Sequence, residues 1–134
     1  MGNIYSDLRN MKEALSCYQS ALEIRKRLFK SDHKYIAISL NNIAGVFSEL
    51  GYKDQALKYC MEALTMRQRL FKDDNEDLAR SYHNCGSIYR ESGENEEALK
   101  YCLLALSMRQ RLFKIDHEDI SISLNNIGLI YKGI

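Results

Sequence analysis

Apolar residues along this chain recur every three or four positions in successive stretches separated by short polar breaks, a pattern that predicts helices throughout. Residues 12–29 carry Ala14, Leu15, Tyr18, Ala21, Leu22 and Leu28 on one side, and residues 33–50 carry Ile36, Leu40, Ile43 and Phe47. The same spacing predicts helices over 53–71, 75–92, 95–113 and 117–132. Residues 1–8 read as the tail of a further helix, because Gly2, Ile4, Tyr5 and Leu8 align with Ala44, Val46, Phe47 and Leu50. Gly51 and Gly93 mark helix corners, since glycine enters the left-handed conformation without a Cβ clash. Arg9-Asn10 stands at the corresponding first corner. Arg9 in that conformation costs about 1 kcal/mol relative to glycine, unless Asn10 takes the role by a one-residue shift. Asp32, Asp74 and Asp116 precede helical patterns and are expected as N-caps, with Asp77 and Asp119 adding charge in the first turn.

The helices come in copies. Ala14-Leu15, Ala56-Leu57 and Ala98-Leu99 lie 42 residues apart, and so do the endings at 25–30, 67–72 and 109–114, which read Arg-Lys-Arg-Leu-Phe-Lys once and Arg-Gln-Arg-Leu-Phe-Lys twice. A fixed period of this size means stacked two-helix modules whose apolar faces are buried only by their neighbours. The expected fold is all-α, a right-handed α-solenoid of antiparallel helix pairs. Its units are a partial first at 1–30, a second at 31–72, a third at 73–114 and the first helix of a fourth at 115–134. The chain therefore starts in mid-unit, either as an excerpt of a longer array or with a shortened capping helix.

Composition narrows the function classes. Nineteen Lys+Arg against 18 Asp+Glu give a net charge of +1, which leaves no bulk field for nucleic acid or an anionic membrane. No apolar run reaches the length of a bilayer span. Cys17, Cys60, Cys85 and Cys102 lie in apolar helical segments with no CxxC pair, so they read as small buried hydrophobes in a reducing, cytoplasmic setting. The Arg and Lys clusters that end the long helices read as a solvated face favoured by the helix dipole. Chemistry is sparse: His83 and Cys85 are two apart on a helix and point to different faces, and no Gly-rich phosphate loop occurs. No cofactor, metal or catalytic role is expected.

The positions Ala44, Phe47, Ala56, Cys60 and Ala63 follow a pattern of small and aromatic residues repeated as Gly86, Tyr89, Ala98, Cys102 and Ala105, and in the first unit as Gly2, Tyr5, Ala14, Tyr18 and Ala21. This resembles the tetratricopeptide repeat. The longer period, with Ser39-Leu40-Asn41-Asn42-Ile43-Ala44 and Ser123-Leu124-Asn125-Asn126-Ile127-Gly128, is similar to the kinesin light chain type of that repeat. The resemblance implies a non-catalytic scaffold whose first helices line a concave groove for an extended peptide. On this chain the groove positions are Asn41 and Asn42 with Ile38, Gly45, Ser48 and Glu49, then Arg80, His83, Asn84, Ser87, Arg90 and Glu91. Asn3, Ser6 and Asp7 extend it at one end, and Asn125 and Asn126 with Ile122, Leu129 and Lys132 at the other. Asn42, Asn84 and Asn126 recur at the 42-residue step and would form a ladder for a peptide backbone, or else bond neighbouring helices. Arg80, His83 and Arg90 favour an acidic or phosphorylated ligand residue. Two alternatives stay open: a module that stacks end to end with copies of itself, and the regulatory array of a longer enzyme.

Overall fold

The computed structural model describes residues 4–113 and 118–134, with side chains from residue 7 onward. Six helices account for nearly all of these residues: α1 Ile4–Leu28, α2 Lys34–Leu50, α3 Lys53–Leu70, α4 Glu76–Glu91, α5 Asn95–Phe113 and α6 Glu118–Gly133. Expectations resting on Gly2, Asn3 and Asp116 fall outside the described residues, as do those on the side chains of Tyr5 and Ser6. The chain divides into two compact units, Met1–Met66 and Arg67–Ile134.

The corners show what the local sequence decides. Gly51 and Gly93 both take positive φ, 87° and 79°. Around each, the glycine N–H donates three residues back, to Ser48 or Arg90, and the next N–H donates to Phe47 or Tyr89, closing the helix end. At Arg9-Asn10 no corner forms, and α1 runs through it as one 25-residue helix. The expected turn is absent because neither residue offers the glycine that makes a left-handed exit cheap, whereas both propagate a helix at little cost. The N-caps also shift by one. His33 and Asn75, extended at φ −151°, are the capping residues. The His33 ring accepts from the Tyr35 N–H at 3.1 Å, and the Asn75 amide oxygen from the Asp77 N–H at 2.8 Å. Asp74 is unavailable as a cap because Arg111 grips its carboxylate through two hydrogen bonds of 2.7 and 2.9 Å.

In the first unit, Leu22 of α1, Ile36, Leu40 and Ile43 of α2 and Ala63 of α3 form the core, with Phe47, Tyr59 and Met66 packed against it. In the second, Ala98 and Cys102 of α5 meet Ile127 and Ile130 of α6. The small residues are sealed: Ala56, Cys60, Ala63, Ala98, Cys102 and Ala105 are all buried. They let helix backbones approach, and the limit is tight at Gly86, where an added Cβ would lie 2.5 Å from the Cys102 Sγ. Corresponding ring pairs join the helices of each unit: Phe47 stacks on Tyr59 at 5.7 Å and Tyr89 on Tyr101 at 5.5 Å.

Candidate functional site

In the second unit, α4 presents Arg80, His83, Asn84, Ser87 and Arg90 at helical spacings of three and four, so the five share one face. The neighbouring α6 is joined to it through Asn126, whose amide donates to Ser87 Oγ at 3.3 Å and to Cys102 Sγ at 3.1 Å. Asn126 is thus buried and committed to the fold, while Asn125 beside it is exposed. Asn84 is half-buried. Arg80 is exposed and pairs with Asp77 on its own helix at 3.4 Å.

Deeper on this face lies a group of charged side chains from three helices. Arg109 of α5, 4% exposed, reaches Glu76 of α4 at 3.6 Å. Burial, together with the nearby Arg109 and Arg90 guanidiniums, lowers the His83 pKa, keeping its ring neutral at pH 7. Burial, reinforced by Asp119, raises the Glu76 carboxyl pKa from its ordinary value against the opposing pull of Arg109 and Arg80. Among the described residues, His83 Nδ1, Arg90 Nε, Arg109 Nε and Glu76 Oε2 are buried without a hydrogen-bond partner. Unpaired buried polar atoms are costly, and their gathering on one face is the strongest mark of a site in this unit.

In the first unit, α2 places Asn42 in solvent and Asn41 half-buried, with the Asn41 Oδ1 buried and unpartnered. The three asparagines of the 42-residue step therefore occupy three environments: Asn42 exposed, Asn84 half-buried, Asn126 buried.

Sequence reasoning missed a second polar repeat. The Arg clusters are not uniformly solvated, because Arg25, Arg67 and Arg109 turn inward. Each donates through Nη1 to a serine fourteen residues on: Ser39 at 2.7 Å, Ser81 at 2.8 Å and Ser123 at 2.8 Å. The same Nη1 also meets the backbone carbonyl ten residues on, of Tyr35, Asp77 and Asp119, at 2.9, 3.0 and 3.4 Å. Arg67 is only 2% exposed. The latch ties the end of each long helix to the first turns of the next helix. Its signal was present in the sequence, since both Arg25/Arg67/Arg109 and Ser39/Ser81/Ser123 keep the period.

Cys60, Cys85 and Cys102 are buried as expected, but Cys17 is exposed on α1. Burial pushes the Cys102 thiol up to about 11, which leaves it protonated and unreactive at neutral pH. Among the described residues no cluster of His, Cys, Asp or Glu is arranged to hold a metal ion, and no helix is long and apolar enough to cross a membrane.

The sequence model of the tetratricopeptide repeat matches residues 1–54, 53–101 and 84–134. A search of curated protein sequences returned no match. Among solved structures, the chain is similar to BtubC (BKLC) from P. vanneervenii, with a TM-score of 0.85 and 30% identity over 92% of this chain and 50% of that one. It is also similar in fold to a Podosopora anserina protein assigned to the kinesin light chains, with nearly identical TPR-like repeats. The TM-score there is 0.85 at 15% identity, covering 94% of this chain and 61% of that one. The chain thus spans about half the length of the first of these. Matched along its length by the repeat model, and carrying the repeat's small residues into buried positions, the chain belongs to the tetratricopeptide repeat family, and its fold matches that of the kinesin light chain repeats of the second structure.

Proposed function

We propose that this chain is a non-catalytic scaffold that holds an extended peptide segment of a protein partner on the α4 and α6 face of its second unit. Tetratricopeptide repeats mediate protein–protein interaction, and the finer reading rests on one observation. His83 Nδ1 and Arg90 Nε are buried without partners on the face that also carries the half-buried Asn84 amide. An incoming acidic side chain would satisfy Arg90 and Arg80, and the Asn84 amide can meet a peptide C=O and N–H together. Asn125 lies at the margin, while Ser87 and Asn126 act mainly by holding α4 against α6. Asn41 and Asn42 on α2 are proposed as peptide contacts of the first unit in their own right. The reading places the protein in the cytoplasm, where its free thiols stay reduced.

A fluorescence-anisotropy screen of peptides rich in acidic and aromatic residues tests this. Binders are expected to weaken at least tenfold on Asn84→Ala or Arg90→Ala, and unchanged affinity in both variants overturns the reading. A second reading, stacking of one chain against another, rests on the apolar Leu124, Leu129 and Tyr131 that α6 exposes. Light scattering across concentration tests it, and a constant monomer mass removes it.

A further inference from the structure

The connection between α1 and α2 and the one between α3 and α4 use equivalent positions, yet they finish differently. In the first unit Phe29 is covered by rings. His33 stacks on it with centroids 3.6 Å apart and planes 7° from parallel, and Tyr35 leans over at 6.2 Å. Two cations attend Tyr35: Arg25 at 5.3 Å and Lys34 at 5.4 Å from the ring centre. Forty-two residues on, the same positions hold Phe71, Asn75 and Asp77, so both covering rings are gone. Among the described residues no ring stacks on Phe71. A cleft of about 650 Å³ opens to solvent there instead, with Phe71, Leu78 and Met108 as its apolar lining. Gln68 and Tyr82 line it too, joined by a 3.1 Å hydrogen bond from the amide to the phenol oxygen. Arg111 ties the end of α5 to the connection through Asp74.

Charge changes with the rings. Residues 30–35 carry Lys30 and Lys34 against Asp32, whereas residues 72–77 carry Lys72 against Asp73, Asp74, Glu76 and Asp77. Asp74 and Asp77 have arginine partners. Asp73, at the cleft and exposed, has no ion-pair partner among the described residues. The second connection thus lacks the two covering rings and has Glu76 in place of Lys34, and it offers an apolar floor with Lys72 and the free Asp73 carboxylate at its rim.

We propose that this cleft docks an aromatic side chain flanked by a lysine or arginine on a protein partner. The ring lies on Phe71 as His33 lies on Phe29, and the cation meets Asp73. The site is separate from the α4 and α6 face, and either can fail without the other.

Two probes test it on the whole chain: N-acetyl-Lys-Trp-amide and its charge-reversed control N-acetyl-Glu-Trp-amide, followed by NMR of the Met108 methyl group. The Lys-Trp probe is expected to shift Met108 saturably at millimolar concentration, and the Glu-Trp probe to bind at least threefold more weakly. Grafting the first unit's rings by Asn75→His with Asp77→Tyr is expected to weaken binding tenfold or more. The surface change Asp73→Asn, which touches no packing, removes the preference between the two probes. The reciprocal pair His33→Asn with Tyr35→Asp keeps a capping side chain and creates a second saturable response at Phe29. An unmoved Met108, or equal binding by the ring-grafted variant, overturns the proposal. Sedimentation that shows a dimer lost on ring grafting overturns the partner in favour of a second copy of this chain.

Discussion

Two sets of polar residues keep the 42-residue step, and they behave differently. The arginines at 25, 67 and 109 make the same two bonds in each copy, whereas the asparagines at 42, 84 and 126 range from exposed to buried. The latch repeats because its acceptors do: a backbone carbonyl exists at every position, and the serine is retained in every copy. The asparagines depend on side chains that the repeat preserves only in part: Cys102, one partner of Asn126, has Cys60 as its counterpart one step back, whereas the other partner does not recur. Asn126 is held by Ser87, whose counterparts one step either way are Gly45 and Leu129, neither with a hydroxyl. A period therefore reports shared structure only where the partner is periodic as well.

The sharpest way to break this comparison is to remove a member of each set. Arg67→Met or Arg109→Met strips a buried serine and a backbone carbonyl of their donor, and each is expected to cost about 2–4 kcal/mol in urea unfolding. Asn42→Ala, in solvent, is expected to stay within about 0.5 kcal/mol. The double change Arg67→Met with Ser81→Ala should recover part of the loss, because the orphaned hydroxyl goes with its donor. Equal effects of the arginine and asparagine changes would sink the distinction between latch and ladder.

The close-packed crossings give the next largest effect. At Gly86 an added Cβ meets not only Cys102 Sγ but also the Ala98 carbonyl at 3.2 Å, and backbone yields little. Gly86→Ala is expected to destabilise by about 1–3 kcal/mol. Gly45→Ala, with nothing within 4 Å, is expected to be neutral or to stabilise by up to about 1 kcal/mol through helix propensity. Thermal melts followed by circular dichroism separate the two, and a neutral Gly86→Ala would show that α4 can retreat from α5.

Much of this architecture was legible before any coordinates. Gly51 and Gly93 announced their corners, and the small residues at 56, 60, 63, 98, 102 and 105 announced the helix crossings, because backbone conformation and volume are properties of single residues. Arg9-Asn10 misled because alignment with a corner is weaker evidence than the presence of a residue able to make one. The Arg clusters misled differently: charge and the helix dipole describe an exposed arginine well, but burial of Arg67 depends on a serine fourteen residues away. The candidate face could be placed by helical spacing. Which of its polar atoms lack partners depends on three helices meeting and could not be read along one.

Acid sharpens the comparison within the site itself. The folded state holds His83 with its pKa below the ordinary value of 6.5, so the unfolded chain binds that proton first as pH falls. Its contribution is complete above pH 6.5 and is lost progressively below it, toward the depressed folded value. The largest slope one such group can give is about 1.4 kcal/mol per pH unit. Urea midpoints from pH 7.5 to 5 should fall for the wild type and fall less for His83→Gln. Parallel curves would place His83 in water rather than among Arg90 and Arg109.

The smallest effect concerns the corner that does not form. Arg9 pairs with Glu13 one turn on at 3.2 Å, with both side chains largely in solvent. Arg9→Ala is therefore expected to cost about 0.3 kcal/mol or less. Arg9→Gly is more informative, because it places glycine at the position that Gly51 and Gly93 hold in the later copies. A glycine in a helix interior costs about 0.5–1 kcal/mol relative to alanine, and only slightly less relative to arginine. A left-handed exit gains only if residues beyond the corner have a face to pack against. If α1 stays continuous, seen as unchanged helical Cα shifts at residues 8–12, then tertiary packing sets this corner together with glycine. If those shifts move to left-handed values, a single residue type was the missing element at this corner.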